Sequence, residues 1–160
     1  MRIEGSCHCG RVRFSVDCPH PHPYLRCYCS ICRKTAGGGG YAINLGADNG
    51  TLQVTGSEHV SEYHPLMTDP DSGERAPAPG KRAFCRHCGS ALWAWDPRWP
   101  ELVHPHASAV DTALPVPPQH VHMMLGSKAP WVEVCSATGD STFDAYPDES
   151  LAEWHRRLGR

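Results

Sequence analysis

The chain has 160 residues, and its 15 basic and 17 acidic side chains give a net charge of −2. This length predicts a single domain over residues 1–160, and a near-neutral charge without a basic stripe argues against a nucleic-acid partner. No stretch reaches the roughly 18 apolar residues of a membrane span, and residues 1–6 lack the apolar core of a signal peptide. We therefore expect a cytoplasmic protein without a membrane partner.

Short strands joined by many turns are expected over most of the chain, which makes the predicted fold class all-β. Glycine and proline contribute 15 residues each, and both favour turns over long helices. Residues 11–16 alternate polar with apolar side chains, as a strand with one buried face does. The other strand candidates are residues 41–45, 50–55, 59–63, 102–107, 121–125 and 131–135.

Two segments depart from this pattern. Residues 67–80 carry proline, glycine, serine and aspartate, and they are expected to form a loop. About residues 147–158 are expected to form a short C-terminal helix, because Leu151, Trp154 and Leu158 recur at helical spacing. No other helix is predicted.

Nine cysteines dominate the motifs of the chain. In a reducing compartment they favour metal ligation over disulfides, and an odd number cannot pair completely. Cys85 and Cys88 form a Cys-x-x-Cys turn followed by Gly89, which is typical of a zinc knuckle. Cys7 and Cys9, two residues apart in a segment expected to be extended, would point to the same side. Together the two pairs predict a structural zinc site that ties the first strand to the later half of the chain.

A second cluster consists of Cys27, Cys29 and Cys32, three thiols within six residues. Zinc takes four ligands, and a site with three protein ligands keeps one position for water or substrate. We therefore expect a second, open zinc there and assign the catalytic role to these cysteines through the metal that they hold. The alternative is a closed site whose fourth ligand is a distant histidine or cysteine, such as Cys135. Otherwise Cys18 and Cys135 are expected to be bystanders.

Arg33, Lys34, Gly37 and Gly38 follow the second cluster closely and are the candidate contacts of a thiol cosubstrate. Three thiolates on one zinc carry a net negative charge, which nearby cations would stabilise, and the same cations would attract an anionic ligand. Glycines let backbone N–H groups approach a ligand closely.

Eleven histidines are present, and most are expected to be bystanders. His104 and His106 are two residues apart, as are His120 and His122, so each pair would share one face of a strand. His122 is the histidine for which we consider a catalytic role.

The order and spacing of these motifs resemble the glutathione-dependent formaldehyde-activating enzyme family, also called the centromere protein V domain family. The resemblance covers about residues 5–135. It rests on Gly5-x-Cys7-x-Cys9-Gly10, Cys27-x-Cys29-x-x-Cys32-Arg33-Lys34, Phe84-Cys85-x-x-Cys88-Gly89-x-x-Leu92-Trp93 and Lys128-x-x-Trp131. It implies a zinc-stapled complex β-sandwich, a fold shared with a mammalian Rab accessory factor. It also implies two zinc ions per chain, a structural one and a second one on the three-cysteine cluster.

The activity that the resemblance implies is the addition of glutathione to formaldehyde to give S-hydroxymethylglutathione, classed as a carbon–sulfur lyase reaction. The chemistry of three thiolates agrees, because they make zinc a poor generator of hydroxide and favour a soft ligand such as a thiol. The expected partners are a glutathione-like thiol and a small aldehyde. The alternative function is a non-catalytic zinc-binding module for a protein partner. Trp93, Trp95 and Trp99 suggest either core packing or a homodimer interface.

Overall fold

The computed structural model describes residues 1–20, 24–69 and 71–157. In that part of the chain, many short strands accompany two short α-helices. The strands are β1 (Arg2–Ser6), β2 (Arg13–Asp17), β3 (Tyr24–Cys27), β4 (Ala42–Asn44), β5 (Ala47–Asp48), β6 (Gln53–Thr55), β7 (Val60–Tyr63), β8 (Leu66–Thr68), β9 (Arg75–Pro77), β10 (Lys81–Cys85), β11 (Ala91–Trp95), β12 (Leu102–Pro105), β13 (His120–Met123) and β14 (Ser141–Thr142). The helices are α1 (Ser30–Ala36) and α2 (Leu151–Arg157).

Three sheets and one hairpin make up the fold. β1, β2 and β6 form an antiparallel sheet, and β5, β12, β11, β10 and β7 form a five-stranded antiparallel sheet. A four-stranded sheet has the order β14, β13, β3, β4, in which β13 runs parallel to both of its neighbours. β8 and β9 form the hairpin, whose side chains are exposed. The all-β prediction of small sheets with a short C-terminal helix is confirmed.

The main core combines side chains of the three-stranded and the five-stranded sheet. The rings of Phe14 on β2 and Trp93 on β11 meet edge to face, with centroids 5.4 Å apart. Burying side chains of this size contributes about 1.5–3 kcal/mol each. Gly5 faces Phe14 across the sheet, and a Cβ at Gly5 would overlap the Phe14 ring and the Ala109 carbonyl. The close approach of β1 to the Phe14 ring and to the 3-10 turn Ala107–Ala109 therefore requires glycine at this position.

Trp93, Trp95 and Trp99, the tryptophans considered for an interface, differ in how deeply they are buried. Trp93 is buried, Trp95 is half-buried, and Trp99 is 45% exposed with the Arg98 guanidinium over its ring. Core packing therefore accounts for Trp93, whereas Trp99 lies on the surface.

Most of the predicted strands are present with altered bounds. The segment predicted at residues 11–16 is β2, and the segments at 59–63 and 102–107 contain β7 and β12. Residues 50–55 are a strand only in β6, because a 3-10 turn occupies Asn49–Thr51. The C-terminal helix is confirmed as α2, and Leu158 lies outside the described residues.

Three expectations were wrong. Residues 67–80 are not simply a loop, because β8 and β9 pair there as a hairpin. Residues 132–135 have no regular structure and Trp131 lies in a turn, since no neighbouring strand pairs with this segment. The helix α1 was not predicted, because seven residues are too few to show a helical period.

Among the described residues, no helix is both long enough and apolar enough to cross a membrane.

Candidate metal centres

The first candidate metal centre joins two turns that are far apart in the sequence. Cys7 and Cys9 lie between β1 and β2, while Cys85 ends β10 and Cys88 lies in the turn after it. The four Sγ atoms lie within 4.8 Å of one another, with 3.5 Å between Cys7 and Cys9 and 3.7 Å between Cys9 and Cys85. Sulfurs around a tetrahedral zinc are about 3.8 Å apart. The four thiols therefore fit such an ion.

Backbone hydrogen bonds shape both turns of this centre. The Gly10 N–H donates to the Cys7 carbonyl at 2.9 Å, and the Gly89 N–H donates to the Cys85 carbonyl at 2.8 Å. Both glycines have a φ of +73°, which other residues rarely adopt. Cys7 and Cys9 thus lie in a turn and not in the extended segment that was predicted. Their sulfurs converge because the chain folds back, not because of strand alternation.

The second candidate metal centre is built where a strand passes into a helix. Cys27 is the last residue of β3, Cys29 is the N-cap of α1, and Cys32 lies in the first turn of α1. The three Sγ atoms lie within 4.8 Å of one another. The Cys29 sulfur also accepts a hydrogen bond from the Cys32 backbone N–H at 3.4 Å. One thiol therefore caps the helix and faces the other two thiols.

The three thiols of the second centre cannot all ionise without a cation. Hydrogen bonds from Cys27 and Cys32 lower the pKa of the Cys29 thiol to about 2. The contacts of Cys27 with Cys29 and Cys32, together with burial, raise the pKa of the Cys27 thiol far above its ordinary value. A divalent cation would remove this conflict, because thiols bind metals in their deprotonated form.

No fourth protein ligand completes the second centre in the described part of the chain. Within residues 1–20, 24–69 and 71–157, no further His, Cys, Asp or Glu atom joins the three sulfurs. Cys135, the candidate for a closed site, is exposed and outside the group. Cys18 is also outside, since it is buried and donates its S–H to the Gly46 carbonyl at 3.0 Å. Burial raises the pKa of Cys18 to about 11.

A buried polar chain reaches the second centre from the five-stranded sheet. The Asn44 Nδ2 donates to the Cys32 Sγ at 3.8 Å, and the Asn44 Oδ1 accepts from the His106 Nδ1 at 3.0 Å. Because an amide oxygen only accepts, His106 carries its proton on Nδ1. His106 is 1% exposed, and burial lowers its pKa to about 3, so the ring is neutral. This hydrogen-bonded series from His106 through Asn44 directs the Asn44 amide N–H toward the Cys32 sulfur.

Cys29 opens into a surface groove of about 370 Å³. The groove lies between the start of α1 and the β8–β9 hairpin, with apolar walls at Leu66 and Met124 and a cation at Arg75. A second groove of about 210 Å³ shares Leu66 and Arg75 and is also lined by Lys34. Sequence reasoning missed Arg75, because it lies in the segment predicted as a loop and far along the chain from the cysteines. The accessible side of the second centre thus meets apolar walls and one cation, with Lys34 in the adjoining groove.

The four residues predicted to contact the cosubstrate differ in whether they line a groove and in how closely they are packed. Lys34 lines the second groove, whereas Arg33 lines neither groove and has a buried Nε without a hydrogen-bond partner among the described residues. Gly37 packs against the Tyr41 carbonyl so closely that a Cβ would overlap it. Gly38 has open space on the side where a Cβ would lie.

His122 lies away from the second centre. Its Nδ1 is 2.9 Å from the Tyr28 Oη, and its Nε2 is 3.3 Å from the Asp140 Oδ2. In the parallel pairing of β13 with β3, Met123 is opposite Cys27, so the side chains of His122 and Cys27 point to opposite faces of the sheet. The catalytic role that the sequence suggested for His122 has no contact with the three cysteines to support it.

Comparisons with known proteins cover most of the chain. Residues 2–126, which contain the cysteines of both centres, match the family model described as glutathione-dependent formaldehyde-activating enzyme. A Halomonas elongata protein named "Putative glutathione-dependent formaldehyde-activating enzyme" is 60% identical over 159 residues, covering 99% of this chain and 98% of that protein. A crystal structure of a Rhodobacter sphaeroides protein has a TM-score of 0.54 and 27% identity, covering 71% of this chain and 92% of that chain.

Proposed function

The chain belongs to the glutathione-dependent formaldehyde-activating enzyme family, and on that premise we propose that it adds a thiol such as glutathione to a small aldehyde such as formaldehyde. The product would be S-hydroxymethylglutathione or a similar adduct, which makes the protein a carbon–sulfur lyase type of enzyme. One observation carries this proposal. The thiols of Cys27, Cys29 and Cys32 converge beside a groove, with no fourth ligand in the described chain.

We assign zinc to both centres, two ions per chain. The four thiols of the first centre suit a closed structural site, and the three thiols of the second suit a site with an open position. Zinc bound at the second centre would supply a soft Lewis acid that holds an incoming thiol as its thiolate. A free thiol has a pKa near 8.5, so only a few per cent is ionised at neutral pH. Zinc at the second centre would therefore increase the fraction of the cosubstrate that is present as thiolate.

The residues of the two grooves would orient the thiol cosubstrate. Glutathione carries two carboxylates, and the two grooves supply two positive charges, Arg75 in the groove that reaches Cys29 and Lys34 in the adjoining groove. A Cβ at Gly38 would lie in open space, so a ligand could approach the backbone from that side. Arg33 and Gly37 remain candidate contacts on the same stretch of chain. The apolar side chains of Leu66 and Met124 on the walls of the first groove would contact the small aldehyde.

The reaction itself is balanced without a redox partner. The thiol gives up its proton to solvent, and its sulfur forms a bond to the carbonyl carbon of the aldehyde. The π electron pair of the carbonyl moves to oxygen, which takes a proton from solvent to become the hydroxyl of the adduct. No electrons are gained or lost, so the only cofactor that the proposal needs is the metal.

We also assign the protein to the cytoplasm. All nine cysteines are free thiols in the structure, which suits a reducing compartment.

Exchange NMR of glutathione and formaldehyde with their adduct tests this function, because it measures the reaction rate at equilibrium. The zinc-replete protein is expected to accelerate the exchange, and Cys29→Ser is expected to reduce the acceleration at least about 100-fold by removing one ligand of the second centre. Cys135→Ser, which replaces an exposed cysteine outside both centres, is the matched control and should leave the rate unchanged.

The proposal would be wrong if a folded protein with two zinc ions gave no acceleration with glutathione or another small thiol. The same result would favour the alternative function, a zinc-binding module for a protein partner.

A further inference from the structure

A third cluster of metal-binding side chains lies on the face of the four-stranded sheet opposite Cys27. β13 carries His120 and His122, and Asp140 immediately precedes β14, which runs parallel to β13. The His120 Nδ1 is 3.3 Å from the Asp140 Oδ1, and the His122 Nε2 is 3.3 Å from the Asp140 Oδ2. One ligand atom from each of the three side chains lies within 4.8 Å of the other two. The cluster shares no residue with the two cysteine centres.

The Asp140 carboxylate is held in place by the backbone. Its Oδ1 accepts from the His120 N–H at 2.7 Å, and its Oδ2 accepts from the Ala137 N–H at 2.9 Å. Burial alone would raise the pKa of this carboxyl, but the two backbone donors lower it below its ordinary value. The carboxylate is thus ionised and aimed at the two imidazoles.

Asp140 has no strong cationic partner among the described residues. Its side chain is 2% exposed, and its ion pairs in the described chain are with His120 and His122 only. Four hydrogen bonds, two from backbone N–H groups and two with the imidazoles, hold the carboxylate, but no Lys or Arg of the described residues forms an ion pair with it. A divalent cation between the three side chains would supply the opposite charge.

Tyr28 completes the arrangement that a metal-binding histidine needs. Its Oη lies 2.9 Å from the Nδ1 of His122, on the far side of the ring from Asp140. Histidines that ligate a metal through one nitrogen use the other nitrogen for such a contact, which fixes the ring. With a cation on Nε2, the His122 proton would move to Nδ1 and be donated to the Tyr28 oxygen.

We propose that His120, His122 and Asp140 form a third metal site, for a first-row divalent transition-metal ion. Two imidazoles and one carboxylate suit ions such as Ni²⁺, Co²⁺ or Fe²⁺, whereas the cysteine centres suit zinc. An ion would enter past His120, whose side chain is 21% exposed, and past the exposed residues 136–139, because the side chains of His122 and Asp140 are buried. The site and the three-cysteine centre lie on opposite faces of one sheet, so either can exist without the other.

Calorimetric titration of Ni²⁺ into the zinc-replete protein tests this site. The wild-type chain is expected to bind one Ni²⁺ without releasing zinc. His120→Asn keeps a donor near the Asp140 Oδ1 and therefore preserves the metal-free network, but it removes one ligand. It should weaken Ni²⁺ binding at least about 100-fold. Circular dichroism of this variant should match that of the wild type.

His64→Asn is the matched control, because His64 is an exposed histidine outside the cluster and outside both cysteine centres, and its Nδ1 contacts the Ala78 carbonyl. It should leave the affinity for Ni²⁺ unchanged. The third site is ruled out if the zinc-replete wild type shows no saturable Ni²⁺ binding. It is equally ruled out if His120→Asn binds Ni²⁺ as tightly as the wild type, since the ion would then be adventitious. Neither result bears on the thiol exchange rate.

Discussion

Asn44 connects the second metal centre to a buried histidine. Its amide nitrogen donates to the Cys32 sulfur and its amide oxygen accepts from His106. We expect Asn44→Ala to weaken metal binding at the second centre by about 10- to 100-fold, the range usual for the loss of a hydrogen bond to a metal ligand. Competition with a chromophoric chelator, after the first centre has been filled, measures this affinity.

His104→Ala is the control for that experiment. His104 is a half-buried histidine on β12, two residues before His106, but its Nδ1 contacts the Leu45 carbonyl and not Asn44. Its loss should lower the stability of the fold and leave the metal affinity of the second centre near the wild-type value. Equal metal affinity in Asn44→Ala and the wild type would show that the polar chain does not act on Cys32.

The cysteines and their partners differ in how well the sequence predicts them. Cys27, Cys29 and Cys32 are close in sequence, so local geometry brings their sulfurs together and their spacing alone predicts the cluster. Asn44 and His106 meet only through a bridge between two different sheets. No local spacing signals such a contact, and for that reason the polar chain could not be predicted.

The helix α1 depends on a cysteine for its first turn. Cys29 is the N-cap, with an extended backbone and a sulfur that accepts the Cys32 N–H. Cys29→Ser and Cys29→Ala should both lose the metal of the second centre, but only serine retains a strong capping group. We expect the serine variant to be more stable than the alanine variant by about 1 kcal/mol.

Urea unfolding of the two Cys29 variants, with the first centre loaded, measures this difference. The first centre is the internal control, because both variants should retain one metal ion per chain. Equal unfolding free energies would mean that Cys29 contributes to metal binding and not to capping.

The β8–β9 hairpin and the helix α1 are two elements that sequence patterns did not predict. β8 and β9 have three residues each, and the polar side chains of Asp69, Asp71 and Ser72 between them favour the prediction of a loop over that of a hairpin. α1 is one cysteine cap followed by seven residues. Such short elements form because neighbouring structure supports them, and tertiary contacts leave no period in a sequence. The longer alternation of β2 was predictable for the opposite reason.

At the scale of the whole molecule, the two candidate cysteine centres differ in how far apart in the chain their cysteines lie. The first joins residues 76 apart in the chain, Cys9 and Cys85, and so links the three-stranded to the five-stranded sheet. Structural zinc contributes about 10–16 kcal/mol to the folding of small zinc-finger peptides. The second centre is local, sits at the edge of the grooves and adds little to the topology. The fold should therefore survive loss of the second metal but not of the first.

Cadmium-113 NMR of the cadmium-substituted protein tests the central claim most directly, because it gives one resonance for each metal centre. For cadmium with sulfur ligands, the account predicts two resonances, one from a four-sulfur and one from a three-sulfur environment, and cadmium at His120, His122 and Asp140 would give a separate resonance because that site has no sulfur ligand. On titration with glutathione, the four-sulfur resonance should stay in place while the three-sulfur resonance moves toward it as a fourth sulfur binds. Two four-sulfur resonances before glutathione is added, or a three-sulfur resonance that does not move at saturating glutathione, would contradict the claim.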